Sequence, residues 1–319
     1  MHGGFQIKDM LYYLFALIGG PAATLQASVN AEAGKQLRSP YLAAAINFCV
    51  SISLLIPIIL IVDRNLYIPL SEIAQKPIWI WGGGVCGIII IMMGILCVPV
   101  LGSGLNMMLA CTSQILAGLI IDHFGMFGAS QIAMTPVRFA GAALVMLGII
   151  IPALKREKSE GTSSHKKWIF VILSLVNGTA AAVQVAVNGS LTNVIGAPMK
   201  ATLISMCVGL TSTLIVIAAL RIIKGRNAIF DGRIKPDRIR LNTVVLIGGA
   251  FAIGIVGGNA IAAPHLGTGI VTIMNLTGMM ITGLILDMIG FLGIEKKAAT
   301  FIKIAGIVLI IAGAALISF

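Results

Sequence analysis

Gln26 and Asn30 stand four residues apart, and Gln184 and Asn188 repeat the pair 158 residues further on. At that spacing two side chains stack on one face of a helix. Each carboxamide offers both a donor and an acceptor, so four of them around one cavity would hold a neutral, zwitterionic or heteroaromatic solute better than a bare ion. All four lie inside apolar stretches, where a polar group facing lipid is costly, so they are expected to face protein or water. The same side chains also serve as glue between helices, because interhelical amide bonds are common in membranes and contribute about 0.6 kcal/mol each.

Further polar candidates are Asn106, Gln114 and Asn275, accompanied by Asn47, Thr112, Ser113, Ser205, Asn259, Thr272 and Thr277. Gln26, Asn30, Gln184, Asn188, Asn106, Gln114 and Asn275 form the expected substrate-binding set. Titratable groups are sparse, and no Asp or Glu sits at the centre of an apolar run. Glu32, Asp122 and Asp287 near run ends are the candidates for proton or sodium coupling, with His123 and His265 behind them. A carboxylate at a helix end equally serves in an ion pair. There is no phosphate-binding glycine loop, zinc motif or nucleophile elbow, so no cofactor or metal is expected and the chain alone does not read as an ATP-driven pump or as an enzyme. Cys49, Cys86, Cys97, Cys111 and Cys207 lack metal-site or disulfide-framework spacing and are expected to be inert, packed thiols.

The elements that must position these groups follow from composition. Of 319 residues 58% are hydrophobic and only 10% charged, with a mean hydropathy of +1.03, far from the roughly 25% charged residues of soluble domains. The chain reads as an all-α integral membrane protein. Ten apolar runs reach the length of about 20 residues that a helix needs to cross the bilayer core: Met10–Asn30, Tyr41–Val62, Ile78–Val98, Gly102–Ile121, Val137–Leu154, Trp168–Asn188, Ala201–Leu220, Val244–Ala263, Gly267–Leu286 and Phe301–Phe319. Runs this long lack the short alternation of a transmembrane barrel. Lys8 precedes a first run of full length with no small-residue cleavage site, so the first helix is expected to stay. Trp79, Trp81 and Trp168 fall at run starts, where interfacial anchoring is their ordinary role.

A net charge of +11 raises nucleic acid as a partner, but seventeen of the 22 lysines and arginines lie in alternate loops between runs or, for Lys303, at a run's edge. That is the pattern of membrane orientation. It places the central linker in the cytoplasm and both termini outside, with the lipid bilayer and no nucleic acid as partner.

The chain also repeats itself. At an offset of 158, Gly20, Ala22, Ala23, Gln26, Val29, Asn30, Pro40, Ala43, Ile46, Cys49 and Val50 match identical residues beginning at Gly178 and ending at Val208. At an offset of 165, Gly83-Gly84, Pro99, Leu101-Gly102, Gly104, Gly118-Leu119-Ile120, Asp122, Gly125 and Gly128 meet identical residues from Gly248-Gly249 to Gly293. The offset grows because the second copy has a longer basic loop, Arg221 to Arg240. A duplicated half explains both matches. The expected domains are residues 1–154, a polar linker 155–167, and 168–319. Five runs per half is an odd number, so the second half must enter the membrane from the opposite side. The fold class is therefore ten transmembrane helices as two inverted five-helix repeats, a common design of secondary transporters with the solute at the repeat interface.

The pattern Gln26, Asn30, Gly34, Pro40, then Pro99, Leu101, Gly102, and the stretch from Gln114 to Asp122-His123-Phe124-Gly125 resembles the YdcZ-like family of the drug/metabolite transporter superfamily, in its fused two-domain form. The resemblance covers both halves and implies a bacterial inner-membrane transporter. The second half departs from it where Met279 replaces Gln114 and Met288 replaces His123. Small multidrug resistance proteins of the same superfamily use a membrane glutamate in the first helix; Gln26 and Asn30 stand in that region here, so proton exchange for organic cations is not implied. The expected function is secondary transport of a small polar or amphipathic metabolite by alternating access. The alternatives are a passive channel or facilitator, and a membrane enzyme acting on lipid-linked substrates. Because one chain supplies both halves, a monomer suffices.

Overall fold

The computed structural model describes residues 7–129, 131–154, 164–225, 229, 243, 246–252, 254–255, 268–293 and 295–318. Among them regular structure is all helical: α1 Ile7–Leu37, α2 Pro40–Val62, α3 Gly82–Leu101, α4 Ser103–Phe124, α5 Pro136–Leu154, α6 Ser164–Ile195, α7 Pro198–Lys224, α8 over 246–252 and 254–255, α9 Thr268–Ile289 and α10 Phe301–Ser318. A short helix, Leu70–Ala74, and a 3-10 turn, Ile78–Trp81, lead into α3.

Six helical stretches, in α2, in α3 with its preceding turn, and in α4, α6, α7 and α9, are long and apolar enough to cross a membrane, and α5 and α10 are apolar over Pro136–Ile151 and Phe301–Ile317. The first helix carries Thr24, Gln26, Ser28 and Asn30 among its apolar residues. Thr24, Ser28 and Asn30 are buried against neighbouring helices. Both α1 and α6 run past their apolar cores, to Leu37 and Ile195, since hydropathy marks only the segment lipid would cover.

Turn chemistry appears in duplicate. Arg38 and Gly196 both hold positive φ, 51° and 75°, directly before the starts of α2 and α7 at Pro40 and Pro198. Proline at the first helical position loses no hydrogen bond, and the Ser39 hydroxyl accepts from Leu42 N at 3.2 Å to cap α2. After α4 and α9, the turns Gly125-Met126-Phe127-Gly128 and Gly290-Phe291-Leu292-Gly293 repeat a left-handed residue at each equivalent position, including the non-glycines Phe127 and Leu292. Two bulky residues in a conformation that costs them energy, at matched sites, mark one turn copied twice.

Lipid is as apolar as leucine, so packing rather than hydrophobic burial holds membrane helices together, and small residues do it best. A Cβ on Gly141 would lie 2.7 Å from Gly313 O, and one on Gly148 would lie 2.7 Å from Gly306 O. The early part of α5 thus meets the late part of α10 and the reverse, an antiparallel crossing of two equivalent helices. A Cβ on Gly20 of α1 would meet Asn275 O of α9 at 2.1 Å. Its counterpart on Gly178 of α6 would meet Ala110 O of α4, the residue equivalent to Asn275, at 1.9 Å. The largest buried apolar cluster, with Cys97, Met108, Cys111, Val145, Met280 and Ile310, ties α3, α4, α5, α9 and α10 together.

The thiols correct one expectation. Cys97 and Cys111 are buried, but the equivalent pair Cys49 and Cys207 is exposed on the outer face of α2 and α7. A thiol is apolar enough that lipid can cover it in place of protein.

Candidate functional site

The duplicated amides have separate tasks. Asn30 is 4% exposed and its Oδ1 accepts from Asn47 Nδ2 of α2 at 2.9 Å. Its equivalent, Asn188, accepts from the Ser205 hydroxyl of α7, and Ser205 is the counterpart of Asn47. Each pair lies against a glycine of the other half's third helix. A Cβ on Gly248 would meet Asn30 Oδ1 at 2.2 Å, and one on Gly83 would meet Asn188 Oδ1 at the same distance. These two asparagines therefore pin together helices from both halves. Gln184 does so too, donating from Nε2 to Gly83 O at 2.8 Å. Gln26, its equivalent, is half-buried and has no hydrogen-bond partner among the described residues.

Asn106 is fully buried and its Oδ1 accepts from the Ser174 hydroxyl of α6 at 2.7 Å. In the other half the equivalent residues are Val271 and Ala16, which form a buried apolar contact of their own. A polar pair in one copy and an apolar pair in the other fill one packing position, as expected when both partners of a hydrogen bond are replaced together. Asn106 Nδ2 and Thr112 Oγ1 remain buried without a partner among the described residues. Gln114 is half-buried on α4, and like Gln26 has no hydrogen-bond partner among the described residues. Asn275 is half-buried on α9 across from Gly20. Asn259, His265 and Pro264 lie outside the described residues. Pro99 sits in the last turn of α3, and Gly102, with φ 82°, makes the one-residue break before α4.

The three carboxylates are all engaged. Glu32, half-buried near the end of α1, accepts from Gln36 Nε2 at 3.0 Å and lies 3.6 Å from the exposed Lys35. Asp122 pairs with Arg138 at 3.2 Å and keeps 34% of its side chain exposed. Asp287 is 3% exposed and accepts from the backbone amides of Ser103 at 2.7 Å and Gly104 at 3.0 Å. These are the first two amides of α4, which have no acceptor inside their own helix. Beside them Lys297 donates to Leu101 O at 2.8 Å. Burial pushes the Lys297 ammonium below its ordinary range, with the Asp287 carboxylate opposing that shift.

Several functional-looking residues escaped the sequence reading. Arg138, at the start of the fifth apolar run, is 8% exposed and also donates from Nε to Ile317 O of α10 at 3.0 Å. Lys200 is buried at the start of α7 and donates to Asn65 Oδ1 at 2.6 Å. The signal for Arg138 was available: its counterpart in the second half is Lys303, so a cation is duplicated along with the aspartate. Ser28 and Ser103, linked hydroxyl to hydroxyl at 2.9 Å across α1 and α4, had no such signal.

Among the described residues no group of His, Cys, Asp or Glu is arranged to hold a metal ion. A solved structure titled "Crystal structure of protein" superposes with a TM-score of 0.54 at 17% identity, over 95% of this chain and 96% of that one. At that identity the likeness is one of fold. No curated protein sequence matches the chain. The family described as "Putative inner membrane exporter, YdcZ" matches twice, over residues 11–151 and 169–316. With two matched segments covering nearly its whole length, this chain belongs to the YdcZ family of inner-membrane exporters, in a two-domain form.

Proposed function

We propose that the protein is a ten-span secondary transporter that moves a small polar or amphipathic metabolite across the inner membrane by alternating access between two inverted five-helix halves, 1–154 and 168–319, joined by the polar linker 155–167. The observation that carries this reading is the reciprocity of contacts. Asn30 with Asn47 lies against Gly248, and Asn188 with Ser205 lies against Gly83, so each half grips the other through the same residues. The antiparallel crossing of α5 and α10 supports the inverted arrangement. Two halves that make equivalent contacts can exchange conformations, which converts a cavity open to one side into one open to the other. The family description supports outward movement, and the alternate-loop lysines and arginines support a cytoplasmic linker with both termini outside.

Within that cavity Gln26 and Gln114 are the amides that meet the solute. They are half-buried and have no hydrogen-bond partner among the described residues, whereas Asn30, Asn188 and Gln184 hold helices, as Asn106 does through its Oδ1. Asn275 lines the α1–α9 side. One chain supplies the whole pathway, so a monomer suffices.

The test is a ligand screen by thermal shift on the purified full chain, followed by counterflow of each hit in proteoliposomes. A solute that stabilises the parent should lose affinity about tenfold with Gln26→Ala or Gln114→Ala, the cost of about one hydrogen bond. It should keep its affinity with Asn188→Ala. Flux that is linear in concentration and indifferent to both glutamines would replace the transporter with a passive pore.

A further inference from the structure

Asp287, at the end of α9, reaches across the molecule and caps the first turn of α4 with both carboxylate oxygens, at 2.7 and 3.0 Å. The geometry requires its receptor. Gly102 breaks the chain with φ 82°, and a Cβ on Gly104 would stand 2.8 Å from Asp287 Oδ2. Lys297 closes over the same turn through Leu101 O. The sequence carries the carboxylate and its turn a second time, though not the lysine: Asp122 is the counterpart of Asp287, Leu266-Gly267-Thr268-Gly269 is the counterpart of Leu101-Gly102-Ser103-Gly104, and Ile132 stands where Lys297 does. In this structure, however, Asp122 holds Arg138 and stays one-third exposed. The two copies of one device thus stand in different states within a single molecule.

We propose that Asp287 and Asp122 are alternately engaged latches, Asp287 on the amides of Ser103 and Gly104 closing one end of the bundle, and Asp122 on the amides of Thr268 and Gly269 closing the other. The inference rests on the alternating-access reading above. Its physical basis is that a carboxylate on the unsatisfied amides of a helix N-terminus is a strong, charge-assisted contact, and that in an inverted repeat α4 begins on the side where α9 ends. Making one latch therefore favours releasing the other. Arg138 gives Asp122 a resting partner while it is released.

Amide hydrogen exchange on the full chain in nanodiscs reads this directly, because helix-initial amides have no intrahelical acceptor and owe their protection to the cap. Asp287→Asn keeps the shape but removes the charge and one acceptor. It should speed exchange at 103–104 about tenfold, the equivalent of one charge-assisted bond, and at the same time slow exchange at 268–269. Asp122→Asn, at a partly exposed site that tolerates substitution, should do the reverse, speeding exchange at 268–269 and slowing it at 103–104. If Asp287→Asn frees 103–104 with no response at 268–269, or Asp122→Asn leaves both segments unchanged, Asp287 is a fixed cap and the inference fails. Should Asp287→Asn not fold, the Asp122→Asn arm decides alone. Flux in proteoliposomes is measured in parallel: transport by a chain whose latches do not respond overturns only this inference, whereas reciprocal exchange in a chain that shows no saturable flux with any solute overturns the transporter reading.

Discussion

Alanine at Gly178 tests the helix contact on which the two-half architecture depends. A Cβ there would stand 1.9 Å from Ala110 O and 2.7 Å from Ala110 C. Ordinary contact begins at 3.4 Å, so the clash is 1.5 Å deep. Its main partner is backbone, which cannot rotate away, so α4 and α6 must separate. Overpacking of this kind costs about 3 kcal/mol. Against it stands the helix preference for alanine over glycine, about 1 kcal/mol, leaving a net destabilisation of about 2 kcal/mol. Gly118→Ala is the matched control. That glycine also lies in a helix, α4, but a Cβ there meets nothing within 4 Å, so it should gain up to about 1 kcal/mol. The two substitutions have the same chemistry and should differ by about 3 kcal/mol in opposite directions. Unfolding of the full chain by SDS in mixed micelles, followed by circular dichroism, measures the difference. Superimposed curves for the two variants would refute the close α4–α6 crossing, and with it the claim that Gly20 and Gly178 were kept in both copies for packing.

Asn47→Ala leaves the buried Asn30 without its donor and should cost about 0.6 kcal/mol in the same unfolding assay, the usual scale for an interhelical bond in membranes; a loss of solute affinity with unchanged stability would move Asn30 into the binding site. In detergent, a small maleimide should reach the buried Cys97 and Cys111 only after unfolding, as read by intact mass. Rapid labelling of Cys111 would show that the central cluster is open to solvent.

Much of this protein was legible in its residues. The membrane class follows from the long apolar runs, because lipid leaves backbone groups no partner except those within a helix. The repeat is legible because glycines, prolines and turn residues answer to backbone geometry that side-chain drift cannot replace. Gly20 and Gly178, Pro40 and Pro198, and the turns at Gly125 and Gly290 were found by spacing alone. What spacing could not decide is which of two chemically identical amides does what. Gln26 and Gln184 read alike in sequence, yet Gln26 has no hydrogen-bond partner among the described residues and Gln184 is bonded to Gly83. Asp122 and Asp287 read alike, yet one is partly exposed beside Arg138 and the other is sealed against α4. Nothing in the sequence shows that Ser174 stands against Asn106, with Ala16 and Val271 as the apolar counterpart. Periodicity reports which face of its own helix a residue occupies. Whether that face meets a neighbouring helix, lipid or a cavity depends on contacts between residues far apart in the chain, and only the packed structure decides that.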